Sequence, residues 1–252
     1  FVLHVPTQRS VLLVEGQNVS TRFIDLVLTA SLTEEGSPFA VERVPEDQLP
    51  SRDLARYDAA ILAGIRDLST GETEALGRYL EGGGGLLLFP GADASATDYN
   101  RLLERVGGGR FTGFIGSLGA RQPVASVADA DFEHPVFRGM FAERSSRSSL
   151  QIERVPVYFT MNYRAGGGSE QTLVGLSNGS AFLHEIRHGE GRMLLSSVYP
   201  SPAWSELPVR GLFVPLLHRS LYYLSAGSVD AQAAYEIGRV GELQVRAGSG
   251  ET

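Results

Sequence analysis

The chain has 252 residues, 42% of them hydrophobic, and a formal net charge of −7 from 29 acidic and 22 basic residues. That length supports one sizeable α/β core, and the charge is too acidic for general attraction to nucleic acid or an anionic membrane. Cysteine and lysine are both absent, which excludes disulfides, thiolate metal sites, a Cys nucleophile, P-loop phosphate binding, and Schiff-base or Ser-Lys chemistry.

No apolar run approaches the ~18 residues of a membrane-spanning helix. The abrupt start at Phe1, with no signal-peptide pattern, reads as a fragment of something longer. In chain order, SVLLVEG (Ser10–Gly16) is a buried strand, and Ser20 caps a helix in which Phe23 and Val27 repeat at helical spacing. PFAVERV (Pro38–Val44) is the next strand, and SRDLARY a short helix. YDAAILAG (Tyr57–Gly64) is a strand. A helix follows, capped by Ser69 or Thr70 with Glu72 and Glu74 in its first turn, and the glycines Gly82–Gly85 stop it. GLLLFPGAD (Gly85–Asp93) is a strand running into a sharp Pro90-Gly91 turn. Strand, helix, strand within about 35 residues makes a βαβ unit with parallel strands.

Ser95 or Thr97 caps a further helix to Val106, and GGGRFTGFIGSLGA (Gly107–Ala120) reads as a loop over a sheet edge. A turn and one helical turn are expected around His134-Pro135. From Leu150 to Pro200 apolar and polar residues alternate, as in antiparallel strands, with hairpin turns at Asn178-Gly179 and Gly189-Glu190-Gly191. Arg210–Gly227 is an amphipathic helix, and the tail from Ala233 reads as the opening strand of a further module. The expected fold is a flavodoxin-like, doubly wound sheet over residues 1–228, with antiparallel strands added in the second half; residues 229–252 are a linker or the start of a following module.

Several motifs carry a family resemblance: VLLVEG, YDAAILAGIRDLSTGETEALGRYLEGGGGLLLFPG, DYNRLL, EHPVF, HGEGRMLLSSVYPSPAWSELP and LFVPLLHRSLYYLS. In this order they resemble the class I glutamine amidotransferase-like fold, and more closely the amidotransferase-like domain of bacterial BatA-type membrane proteins that carry a von Willebrand A domain. The resemblance implies membrane anchoring through segments outside residues 1–252, an extracytoplasmic setting, and neighbouring domains or a protein partner. It also implies where a catalytic site would lie. Active members place a Cys on the turn after the strand matching LLLF, and draw base and orienting acid from a His-Pro-Glu tripeptide. Here the matching positions are Gly91 in Phe89-Pro90-Gly91-Ala92, and Tyr199 and Ser201 around Pro200. Nucleophile, base and orienter are all replaced, so catalysis of that kind is not expected.

Other constellations have plainer readings. Ser95 caps a helix, the alternative being a rebuilt hydrolase site of Ser95, Asp93 and His134. His134 reads as a surface or turn-stabilising residue. His184 and His188 read as solvent-facing strand residues ~13 Å apart, too far for one metal, and His218 marks the boundary between the last helix and the sheet. Glu15, Gly16, Gly64, Gly91 and Asp93 converge at strand ends, where open α/β sheets bind ligands. Glu15, Asp93 and Asp98 lack metal-ligand spacing, so neither a metal nor a cofactor is expected. Trp204 anchors the loop before the last helix.

Overall fold

The computed structural model describes residues 8–29, 37–138, 140 and 154–226. Eleven strands and four α-helices lie in these segments: β1 (Arg9–Glu15), α1 (Arg22–Thr29), β2 (Phe39–Pro45), β3 (Ala59–Ile65), α2 (Thr70–Glu81), β4 (Gly85–Pro90), α3 (Ala96–Val106), β5 (Arg110–Gly116), β6 (Ala125–Ala130), β7 (Pro156–Val157), β8 (Phe159–Arg164), β9 (Glu170–Leu176), β10 (Ala181–His188), β11 (Gly191–Ser196) and α4 (Phe213–Ser225). A nine-stranded sheet runs in the order β2-β1-β3-β4-β11-β10-β9-β6-β7, and β5 pairs with β8 in a separate ribbon. The first five strands are parallel neighbours, and from β11 onward the pairing is antiparallel. The architecture is therefore mixed α/β.

The parallel half follows from its apolar strands. Val11–Val14 of β1 and every residue of β3 and β4 are buried, as strands covered on both faces require. Alternate side chains divide between two cores. Val11, Leu13, Ile61 and Leu87 pack with Ile24 and Val27 of α1 and with Leu217 and Leu221 of α4. Leu12, Leu62, Leu86 and Leu88 pack with Leu76 and Leu80 of α2 and with Leu102 and Leu103 of α3. The start of α2 is fixed by a reciprocal capping box: the Ser69 hydroxyl accepts from Glu72 N–H at 3.2 Å, and the Glu72 carboxylate accepts from Ser69 N–H at 2.7 Å.

Four expectations are corrected by the structure. Gly107–Ala120 is not simply a loop: Arg110–Gly116 forms β5, whose apolar alternation is interrupted by a bulge between Phe111 and Phe114, where Gly113 has φ +121°. SRDLARY does not form an α-helix. It lies in two short 3-10 turns, at Glu46–Ser51 and Leu54–Arg56, because Pro50 interrupts the first and Asp53 caps the second. His134 is buried rather than at the surface, although it does stabilise its turn by accepting from Val136 N–H, and His184 is buried too. The β10 run AFLHEI is covered on both faces, so its polar residues have no solvent face to occupy. Gly227 and the tail from Ala233 lie outside the described residues.

Candidate functional site at the strand ends

The parallel strands deliver their carboxyl ends to one edge, and β1 and β3 begin connections that leave in opposite directions along the sheet. This is the address at which open α/β sheets bind ligands. Three of the glycines expected there meet each other. Gly16 N–H donates to the Ala63 carbonyl at 2.8 Å, and a Cβ added at Gly16 would stand 1.9 Å from the Gly64 oxygen; one added at Gly91 would stand 2.8 Å from the same atom. Gly64 has φ +71° and is the extra residue of a bulge between β3 and β4. The glycines therefore permit three backbone segments to close on one another.

Glu15 and Asp25 are bound up in local bonds. Thr21 Oγ1 lies 2.7 Å from Glu15 Oε1 and 3.1 Å from Asp25 Oδ2, so its single proton serves one carboxylate at a time. Asp25 also accepts from Arg43 at 2.9 Å. An open groove of about 530 Å3 runs past Ser20, Thr21 and Asp25. Asp93 is exposed at the turn after β4, with Oδ1 only 3.2 Å from where a Cβ on Gly91 would sit. Among the described residues no group of three or more His, Asp or Glu side chains is placed to hold a metal.

The three positions that the resemblance matches to a catalytic triad have their own local settings. Gly91 has no side chain to react. Tyr199 is buried, its ring 6.4 Å from Phe89 and 6.3 Å from Trp204, and its hydroxyl donates to the Ser20 carbonyl at 3.1 Å. Burial, reinforced by the charges of Glu15 and Asp25, pushes the Tyr199 phenol well above its ordinary range. Ser201 is occupied in a turn, where its hydroxyl accepts from Ala203 N–H. Beside Tyr199 lies an apolar void of about 30 Å3, lined by residues including Phe89, Val198, Phe213 and Leu217, too small for an organic substrate.

Ser95 and His134 have separate partners. Ser95 caps α3, accepting from Asp98 N–H at 3.4 Å. His134 Nδ1 accepts from Val136 N–H, its Nε2 lies 3.4 Å from the Glu185 carboxylate, and its ring packs on Tyr223 of α4 at 5.0 Å. No hydrogen bond joins the serine to a histidine among the described residues.

Two buried polar clusters on β10 escaped the sequence reading. On one face His184 Nε2 meets Glu170 Oε2 at 2.9 Å and Nδ1 meets Thr172 Oγ1 at 3.0 Å. The Glu170 carboxylate also accepts from Tyr163 Oη at 2.7 Å, from Gly109 N–H at 3.1 Å, and from the N–H groups of Gly166 and Gly167. Burial alone would raise the Glu170 carboxyl, but the bonds from Tyr163, Gly167, His184 and Gly166 outweigh it and hold it below the usual range. Burial lowers the His184 imidazole, with Glu170 opposing. On the other face Glu185 accepts from Tyr223 at 2.5 Å and from Arg187 at 3.2 Å. The signal available in sequence was the adjacent pair His184-Glu185 inside the otherwise apolar run AFLHEI, since charged residues entering a two-sided core need partners.

No protein-family model matches this chain, and no curated protein matches it in sequence. In structure it is similar to a cytoplasmic protein, STM3548, from Salmonella typhimurium, at 15% identity and TM-score 0.62 over 86% of this chain and 98% of that one. It is similar to a ThuA-like protein from Parabacteroides merdae, at 15% identity and TM-score 0.56 over 86% and 89%. A Thermoplasma acidophilum protein described as part of a GMP synthase aligns at 12% identity and TM-score 0.50 over 87% and 94%. Likeness at these identities is likeness of fold.

These findings overturn the expectation of a membrane-anchored, extracytoplasmic BatA-type domain beside a von Willebrand A domain. The strand and turn motifs that suggested it lie on a frame that occurs in proteins named cytoplasmic and ThuA-like. Among the described residues no helix is long and apolar enough to cross a membrane. The chain thus shares the fold of ThuA-like and glutamine amidotransferase-like proteins.

Proposed function

We propose that this chain is a non-catalytic, glutamine amidotransferase-like domain that serves as a rigid scaffold and binding module. Its frame is of the flavodoxin-like, doubly wound type, spanning residues 1–228, with 229–252 a linker or the beginning of another module. Its partner is a protein or neighbouring domains of the same chain. The observation that supports this reading is the filling of the strand-end address: three backbone segments close at Gly16, Gly64 and Gly91, and Tyr199, the residue the resemblance matches to the base, is buried and tied to the Ser20 carbonyl. A hydroxyl nucleophile requires a base within hydrogen-bond reach, and Ser95 instead caps a helix. The alternative, a rebuilt hydrolase using Ser95, Asp93 and His134, draws no support from the separate partners of Ser95 and His134.

The test is hydrolysis of glutamine, simple amides and p-nitrophenyl esters by the wild-type chain and its Ser95→Ala and Asp93→Asn variants. The reading predicts only background release, unchanged by either substitution. Saturable turnover abolished by either one would establish the hydrolase instead.

A further inference from the structure

On the β5–β8 ribbon, Arg110 stands opposite Arg164 in antiparallel register. Both are exposed, and neither guanidinium has an ion-pair or hydrogen-bond partner among the described residues. Like charges directly opposed on antiparallel strands weaken the pairing, and in a chain of net charge −7 such a juxtaposition stands out. A dianion between the two reverses the sign of the interaction.

The pair borders a groove of about 720 Å3 walled by two glycine-rich turns, Gly107–Gly109 and Gly166–Gly167. The walls are open at Gly107 and Gly167, where nothing lies within 4 Å of an added Cβ. They are also held: the buried carboxylate of Glu170 accepts from the N–H groups of Gly109, Gly166 and Gly167 and so clamps one turn to the other. Asn100 fixes β5 against α3, donating to the Phe111 carbonyl at 2.9 Å and accepting from its N–H at 2.7 Å. The arginines therefore project from a preorganised rim.

We propose that this groove binds a small phosphate monoester, with the phosphate held between Arg110 and Arg164. Guanidinium groups suit phosphate because their parallel N–H donors match two of its oxygens at once, and a monoester carries close to two charges at neutral pH. Glu104, exposed on the same groove, forms no ion pair with either arginine among the described residues. It repels a second anionic end, which disfavours dicarboxylates. The groove is separate from the strand ends, so the result here leaves the non-catalytic reading where it stands.

The test is isothermal titration calorimetry of the full chain at pH 7.5 and low chloride, with inorganic phosphate, glycerol 3-phosphate and succinate as probes. Saturable binding of both phosphates is expected, weakened roughly tenfold or more by Arg110→Ala or Arg164→Ala. Arg121→Ala, at an exposed arginine outside the groove, should leave it unchanged. Amide shifts in a 15N spectrum give an independent reading, and phosphate should move Gly107–Gly109 and Gly166–Gly167 first. No saturable phosphate binding, equal weakening by Arg121→Ala, tighter binding of succinate, or shifts only elsewhere would each overturn the assignment.

Discussion

His218 is buried on α4 between the rings of Phe39 and Tyr222, at 5.1 and 5.0 Å, and its Nε2 has no hydrogen-bond partner among the described residues. Burial, aided by the neighbouring Arg219 charge, lowers its pKa to about 4. In the unfolded chain a histidine titrates near 6.5. As pH falls, the unfolded chain therefore takes up the proton first, and stability that is full above about pH 6.5 declines down to about pH 4. The expected loss is on the order of a few kcal/mol. Replacing the imidazole by an apolar ring of similar size, His218→Phe, should flatten that decline while leaving stability at pH 7.5 nearly unchanged. Urea midpoints measured across the range check it; an unaltered slope in the variant contradicts the assignment. His184 adds a smaller decline of the same sign, because its imidazole is also held below its ordinary pKa.

Glu170 is a residue of the opposite kind, a carboxyl held below its ordinary value. Its contribution is present above the unfolded pKa near 4.3 and is lost as pH falls through the lower folded value. Glu170→Gln keeps the shape but weakens five charge-assisted bonds, from Tyr163, His184, Gly109, Gly166 and Gly167. The variant should lose about 3 kcal/mol by chemical denaturation at pH 7. A loss under about 0.5 kcal/mol would mean that the clamp between the two glycine turns contributes little.

At the scale of elements, the parallel half was legible in sequence and the ribbon was not. Runs such as VLLV, AAILA and GLLLF have no polar face, and that marks a strand between two layers of helices. A cap at Ser69 or Thr70 announced α2, the structure selects Ser69, and Ser69→Ala should cost about 1 kcal/mol in thermal or urea melts. Arg110–Gly116 was read as loop because glycines at 113 and 116 interrupt its alternation, and its partner β8 lies far along the chain. No local pattern reports a contact of that separation. The strand-end glycines were also legible as special, but their purpose was not. Sequence shows that a Cβ is absent, whereas only the fold shows that the space is taken by the Gly64 carbonyl. Gly16→Ala should therefore cost more than about 3 kcal/mol or prevent folding, since backbone must move. A variant with wild-type stability would reveal slack at the β1–β3 junction that the geometry denies.

For the molecule as a whole, frame and chemistry separate. The sheet, its two cores and its strand-end address are all present, and the proposed reading is that the reacting groups of that address are exchanged for Gly91, the buried Tyr199 and the turn residue Ser201. The polar side chains that were buried instead, Glu170 with His184 and Glu185 with His134, lie on the antiparallel side and are largely occupied with one another. His184 was misread because strand alternation predicts a solvent face that the two-sided packing of β10 removes. The central claim, that no hydroxyl among the described residues is activated, is tested most directly by a fluorophosphonate probe, which labels activated serine and threonine hydroxyls regardless of substrate. The account predicts no labelling of the native chain above that of the heat-denatured chain. Stoichiometric, native-only labelling mapped by mass spectrometry to Ser95, Ser201 or Thr172 would contradict it.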